Sequence, residues 1–133
     1  MRFMLDTSVC IDLIRRRTAT ILRNLERTRP EDVCVSVITL SELEHGVAKS
    51  AAPERNRLAL AEFMAPITVL PYNDTVAPVY GRIRAHLDAK GIGIGSLDML
   101  MAAHALSAGL TLVTNNEREF QRVPDLRVVN WTK

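Results

Sequence analysis

Four acidic residues, Asp6, Glu42, Asp98 and Glu119, lie far apart in the chain, yet each falls where a fold can gather side chains. Asp6 follows the apolar run Phe3-Met4-Leu5, Glu42 follows Val33 to Leu40, Asp98 follows Gly95-Ser96, and Glu119 follows Leu110 to Thr114. In an open α/β sheet the carboxyl ends of several strands meet in one crevice, so carboxylates just past strands or at nearby helix starts become neighbours. An oxygen-only set of this kind is what hard cations such as Mg²⁺ and Mn²⁺ prefer. A cation held there polarises a phosphoryl oxygen, lowers the pKa of a bound water and stabilises a leaving oxygen, which makes phosphodiester hydrolysis the chemistry the set serves. Thr7, Ser8, Thr114, Asn115 and Asn116 flank the carboxylates as neutral hydrogen-bonding groups for ordered water or a phosphate.

Each acidic residue also has a purely structural reading. Asp6, Thr7 or Ser8 can cap the helix that follows. Thr39-Leu40-Ser41-Glu42 fits a capping box, and so does Thr114-Asn115-Asn116-Glu117, which would leave Glu119 as a surface charge. Asp98 falls in a first helical turn after Ser96, where the helix dipole favours a negative charge. The joint pattern, rather than any single residue, argues for a site.

The elements that must position these residues alternate. Residues 3 to 5 read as a strand feeding a helix over Val9 to Arg17, and helical spacing continues from Thr18 to Thr28. Arg29-Pro30-Glu31-Asp32 interrupts before the β-branched strand Val33 to Ile38, and a helix is expected from Leu40 to Lys49. Ser50-Ala51-Ala52-Pro53 opens another helix through Phe63; Ile67 to Leu70 reads as a strand, and Thr75 to Ala89 as a helix. Gly91 to Gly95 is a loop, Ser96 caps a helix to Ala108, Gly109 stops it, and Leu110 to Val113 and Val128-Val129 complete the strands. Apolar strands alternating with helices predict a three-layer α/β/α domain spanning 1–133 with a mostly parallel central sheet.

Composition narrows the class. The chain has 133 residues, 47% hydrophobic and 24% charged, the balance of a folded globular domain. No apolar run approaches the roughly 20 residues that span a bilayer, and a carboxylate at position 6 comes too early for a signal peptide, so a cytoplasmic location is expected. Cys10 and Cys34 lack metal-ligand spacing and read as buried small side chains. His45, His86 and His104 share no metal motif and read as surface or packing residues. Gly91-Ile92-Gly93-Ile94-Gly95 has no Walker lysine, which excludes a nucleotide-binding loop and leaves a turn. Of the 17 basic residues 14 are arginines, the side chain suited to bidentate phosphate contacts, and Arg15-Arg16-Arg17 forms the densest group.

Four segments in this order, Phe3-Met4-Leu5-Asp6-Thr7-Ser8, Ser41-Glu42-Leu43-Glu44-His45-Gly46, Ile94-Gly95-Ser96-Leu97-Asp98 and Leu112 to Phe120, resemble the PIN-domain VapC toxins of type II toxin–antitoxin pairs. The resemblance implies an endoribonuclease dependent on Mg²⁺ or Mn²⁺, a homodimer, and inhibition by a small VapB-like antitoxin. It places Asp6, Glu42 and Asp98 at three acidic positions of the family and Glu119 at the fourth, with Asn116 as a supporting ligand. Ser8 stands where the family commonly has Asn. Structured RNA, with initiator tRNA cut at its anticodon loop, is the substrate it implies. The apolar stretch Leu58 to Met64 reads either as core or as part of a groove for an antitoxin helix. Two alternatives remain: an RNA-binding or assembly module of the same fold without cleavage, and a nuclease acting on DNA or ribosomal RNA.

Overall fold

The computed structural model describes residues 1–133. Five strands, β1 (Phe3–Leu5), β2 (Val33–Ser36), β3 (Thr68–Leu70), β4 (Thr111–Val113) and β5 (Val128–Val129), alternate with seven helices. These are α1 (Thr7–Arg15), α2 (Ala19–Glu26), α3 (Val37–Ala48), α4 (Pro53–Met64), α5 (Ala77–Ala89), α6 (Ser96–Ser107) and α7 (Glu117–Phe120). The strands form one sheet in the order β3-β2-β1-β4-β5. All four pairings are parallel. The three-layer α/β/α expectation therefore holds.

Because side chains alternate across a strand, the short strands feed two cores. Met4, Cys34 and Leu112 pack on one face beneath α5, α6 and Phe120. Leu5, Val33, Val35 and Val113 pack on the other, against α1 to α4 and Trp131. Being buried on both sides is what gives these strands their continuous apolar sequence. Both cysteines are free and buried, as their apolar surroundings indicate. No helix is long and apolar enough to cross a membrane.

Several boundaries differ from the sequence reading, each for a local reason. The extended run after Val33 ends at Ser36, whose hydroxyl accepts the Ile38 N–H at 3.0 Å and starts α3. The β-branched pair Val37-Ile38 is thus helical, and Thr39 lies buried inside the helix instead of capping it. The helical spacing from Val9 to Thr28 divides at Arg16, which takes a left-handed conformation (φ 52°). There Asp12 accepts hydrogen bonds from the backbone and hydroxyl of Thr18 at 3.0 and 2.7 Å. Gly95, not Ser96, is the N-cap of α6, and it offers no side-chain cap.

The strand order reverses direction between β1 and β4. After β1 the chain builds outward through β2 and β3, then returns across β1 to place β4 and β5 on its other side. Such a switch point opens a crevice beyond the carboxyl ends of the strands. α1, α3 and α7 follow β1, β2 and β4, and α6 leads down into β4, so the starts of α1, α3 and α6 and the short α7 all face that crevice.

Candidate active site

Asp6 occupies the centre of the crevice, directly after β1, and is only 4% exposed. It caps α1: one oxygen accepts the Val9 N–H at 2.8 Å and the Ser8 hydroxyl at 3.0 Å. The other accepts the Thr114 hydroxyl from the end of β4, the adjacent strand. Burial pushes its carboxyl up from the usual range, while the Thr114, Val9 and Ser8 donors hold it down and the Glu42 carboxylate adds a smaller push upward. Asp6 is therefore a helix cap that also takes a hydrogen bond from the neighbouring strand.

Glu42 stands in the second turn of α3. It does not fold back on the backbone of Thr39 as a capping box requires; its Oε1 accepts the Thr7 hydroxyl at 2.6 Å. A contact spanning 35 residues of sequence joins the starts of α1 and α3 at the crevice.

Asp98, in the first turn of α6, is half-buried and meets like charges. Burial raises its carboxyl to about 6, with further contributions in decreasing order from Glu119, Asp6 and Glu42. Asp98 is thus within electrostatic reach of the other three acidic residues, and Asp6 of Glu42. Gly95 leaves room for this side chain: a Cβ there would lie 3.3 Å from Asp98 Oδ2.

Glu119 lies in α7, whose start is not the capping box expected from Thr114 to Glu117. Asn116 is the N-cap without a side-chain cap, and Thr114 turns instead to Asp6 while accepting the Asn116 N–H at 2.9 Å. One Glu119 oxygen accepts the Gly95 N–H at 2.9 Å, and the other accepts the Asn116 side-chain amide. Glu117 faces away, bound to Lys133 at 2.8 Å and Asn130 at 3.1 Å. Asn115 is exposed.

The donors suit a hard cation in kind: oxygen only and negatively charged, with the Glu119, Asp6 and Glu42 charges adding to the burial that raises Asp98. No three of the chain's Asp, Glu, His or Cys side chains stand close enough together to cage an ion as they are placed. The set is gathered but open. His45 is exposed and His86 half-buried, and neither belongs to a metal-ligating cluster. His104 is buried beneath the site; sequence spacing gives no signal for the polar contacts it makes there.

Residues 3–126 match the PIN-domain family, the class that this sheet order and acidic crevice define. The chain is 44% identical to the tRNA(fMet)-specific endonuclease VapC of Salmonella typhimurium, with 98% of each chain covered. It is also 44% identical to ribonuclease VapC2 of Haemophilus influenzae, again over 98% of each. Among solved structures, it superposes on the toxin of the DNA-bound VapBC complex of Salmonella typhimurium with a TM-score of 0.93 at 42% identity and 98% coverage of both chains. The promoter-bound VapBC2 complex of Rickettsia felis gives 0.92 at 36% identity, covering 98% of this chain and 99% of the other. The chain belongs to the VapC ribonuclease toxins of the PIN-domain family.

Proposed function

We propose that this chain is the toxin of a toxin–antitoxin pair and cuts structured RNA, initiator tRNA first among substrates, at a divalent-metal site formed by Asp6, Glu42, Asp98 and Glu119. The observation that carries the reading is the convergence of four carboxylates from four separate elements: burial first, then the Glu119, Asp6 and Glu42 charges in turn, raise Asp98 to about 6. Structural ion pairs are built to lower such energies; a like-charge cluster at a switch point is arranged for a cation or a proton. Mg²⁺ or Mn²⁺ would supply the positive charge and Lewis acidity that phosphodiester hydrolysis needs.

The chain's own residues have distinct tasks in this reading. Thr114 and the Val9 N–H fix both oxygens of Asp6, and Thr7 fixes Glu42. The Gly95 N–H and Asn116 orient Glu119 toward the loop that leads to Asp98. Asn116 thereby serves as an orienting group. Ser8 supports Asp6 through its hydroxyl, which compensates for the shorter side chain at that position. Asn115 stands at the exposed rim.

Two relatives, from Salmonella typhimurium and Shigella flexneri, are named tRNA(fMet)-specific endonucleases, which supports tRNA over DNA or ribosomal RNA. The VapBC complexes support a cognate antitoxin as partner, and a homodimer is part of the same proposal. A cleft of about 480 Å³ between α1, α3 and α4 begins at Thr7 and Glu42 and is lined by Ile11, Ile14, Leu60 and Leu97. It has the shape and apolarity for an antitoxin helix, with a basic side chain reaching the carboxylates. Of the Leu58 to Met64 stretch, Leu60 is buried, Phe63 and Met64 pack half-buried against the core, and Leu58 is 67% exposed. Full nuclease activity in a saturated complex would count against this placement.

The test is antitoxin-free protein incubated with total bacterial RNA and Mg²⁺ or Mn²⁺, with chelator and Asp98→Asn controls and both fragment ends mapped. The expected products are discrete, metal-dependent fragments with 5′-phosphate and 3′-hydroxyl ends, absent in the variant. RNA binding without cuts, equal in the variant, would instead establish the non-cleaving module. A cyclic phosphate would mean attack by the neighbouring 2′-hydroxyl.

A further inference from the structure

Helices α3 and α6 carry two of the four carboxylates, and below those carboxylates they touch through polar side chains in matched order. On α3 and its cap these are Ser36 and Thr39, followed by Glu42; on α6 they are His104 and Met101, preceded by Asp98. Both series step by three residues, the spacing of one surface ridge of a helix. Ser36 Oγ lies 2.8 Å from His104 Nδ1, and Thr39 donates to Met101 Sδ at 3.2 Å. The next step in each series reaches Glu42 and Asp98, which feel each other's charge.

The first two rungs are fully buried, with Ser36 and Thr39 at 0% exposure and His104 at 3%. Ser36 Oγ accepts the Ile38 N–H and is also hydrogen-bonded to His104 Nδ1. The imidazole also hydrogen-bonds the Pro71 carbonyl, just after β3, and the Tyr72 ring packs edge-on against it. One histidine therefore ties α6 to the cap of α3 and to the strand beyond it. Thr39 adds a link toward the reacting end, since its hydroxyl lies 3.4 Å from that of Thr7, the residue holding Glu42. A helix pair held only by apolar contacts would bury the same surface without fixing its register. Hydrogen bonds that leave a donor or acceptor stranded if the helices slip do fix it.

We infer that the buried ladder Ser36–His104 and Thr39–Met101 sets the spacing of Glu42 against Asp98, so that Thr39 and His104 are positioning residues for the nuclease site. This rests on the metal-site reading above. The ladder controls the distance between two carboxylates on different helices, the quantity to which a shared cation is most sensitive, since small misplacements of reacting groups cost about a hundredfold in rate.

Thr39 allows a test in which packing and hydrogen bonding pull in opposite directions. Thr39→Val keeps the shape and removes the hydroxyl; Thr39→Ser keeps the hydroxyl and leaves a cavity. For each, and for His104→Gln, one measures kcat and KM on the RNA substrate, Mn²⁺ affinity in the absence of RNA, and Tm, with Asp98→Asn as control. The ladder predicts that Thr39→Val lowers kcat and weakens Mn²⁺ binding by about tenfold each with KM within about twofold. Thr39→Ser should stay within about threefold of the parent in both despite its equal or lower Tm. His104→Gln should lower kcat and Mn²⁺ affinity in the direction of Thr39→Val. If instead activity and Mn²⁺ affinity follow Tm, with Val at or above Ser, the ladder is packing alone and the inference is overturned. If Asp98→Asn itself retains activity and Mn²⁺ binding, the metal-site reading has failed, and the two failures are told apart.

Discussion

The two sides of the crevice hold their carboxylates in different ways. On the side built by α1 and α3, Asp6 and Glu42 receive hydrogen bonds from neutral donors on regular elements: the Val9 N–H and the Ser8, Thr114 and Thr7 hydroxyls. On the side built by α6 and α7, Asp98 meets chiefly other carboxylates, and Glu119 is tied to a glycine-rich loop and to its own N-cap. The first side is organised by the protein itself. The second carries charge that the protein leaves uncompensated, which is where a cation has most to contribute.

The sharpest way to break this comparison is to remove one carboxylate from each side. Asp6→Ala and Asp98→Asn should each lower cleavage by at least about a hundredfold, since each deletes a charge-bearing group of the site. Their stabilities should diverge. Asp6→Ala loses a helix cap and strands the Thr114 hydroxyl, at a cost of about 1–2 kcal/mol, whereas Asp98→Asn relieves repulsion and should raise the Tm of metal-free protein. Thermal melts of both variants, with and without Mg²⁺, check this; a fall in Tm for both would remove the distinction.

A smaller effect is expected from Thr114→Val, which keeps the shape at the end of β4 but takes away a donor to Asp6. Cleavage should drop by about tenfold, read as kcat, for the loss of one preorganised hydrogen bond to a charged group. Gly95→Ala should reduce kcat by a few-fold, because its Cβ would crowd Asp98 Oδ2 at 3.3 Å. Gly95 has a φ of −56°, so no backbone strain accompanies the change and Tm should stay constant. An unchanged kcat would mean that Asp98 shifts freely.

The pH dependence of stability follows from the same asymmetry. Asp98 holds its proton up to about 6 in the folded chain, against 3.8 as the ordinary value, so the folded state binds the extra proton between these limits. Its charged form opposes folding. Metal-free protein should therefore gain stability from this group as the pH falls from above about 6 towards 3.8, with little further change below. Asp6, raised in the same direction, adds to the trend. Melting curves of the metal-free protein across that range should show the gain, and Asp98→Asn should flatten it.

The sequence carried the alternation of strands and helices because the central strands β1, β2 and β4 are buried on both faces and the helix breaks carry Pro, Gly or capping residues. It misplaced the start of α3 because Val37-Ile38 favours a strand by type, while one serine hydroxyl at position 36 starts the helix two residues earlier than that run suggests. The same error produced the apparent capping box at Thr39, whose neighbours in space, Thr7 and Met101, come from other parts of the chain. The placement of the four acidic residues beside the crevice was legible because each sits at a fixed place relative to a strand and the set matches a family pattern. The way each is held was not, since the partners of Asp6 and Glu42 at Thr114 and Thr7 are separated from them by 108 and 35 residues. His104 was unreadable as more than packing for the same reason: its partner Ser36 is 68 residues away.

The most direct test of the central claim is a Mn²⁺ binding isotherm, without RNA, for the parent protein and for Asp6→Asn, Glu42→Gln, Asp98→Asn and Glu119→Gln. The account predicts saturable binding in the parent and a loss of about tenfold or more in affinity for each variant, since each would take a charged oxygen from the proposed site. Equal binding by all five proteins, or no saturable binding by the parent while cleavage persists in chelator, would contradict it.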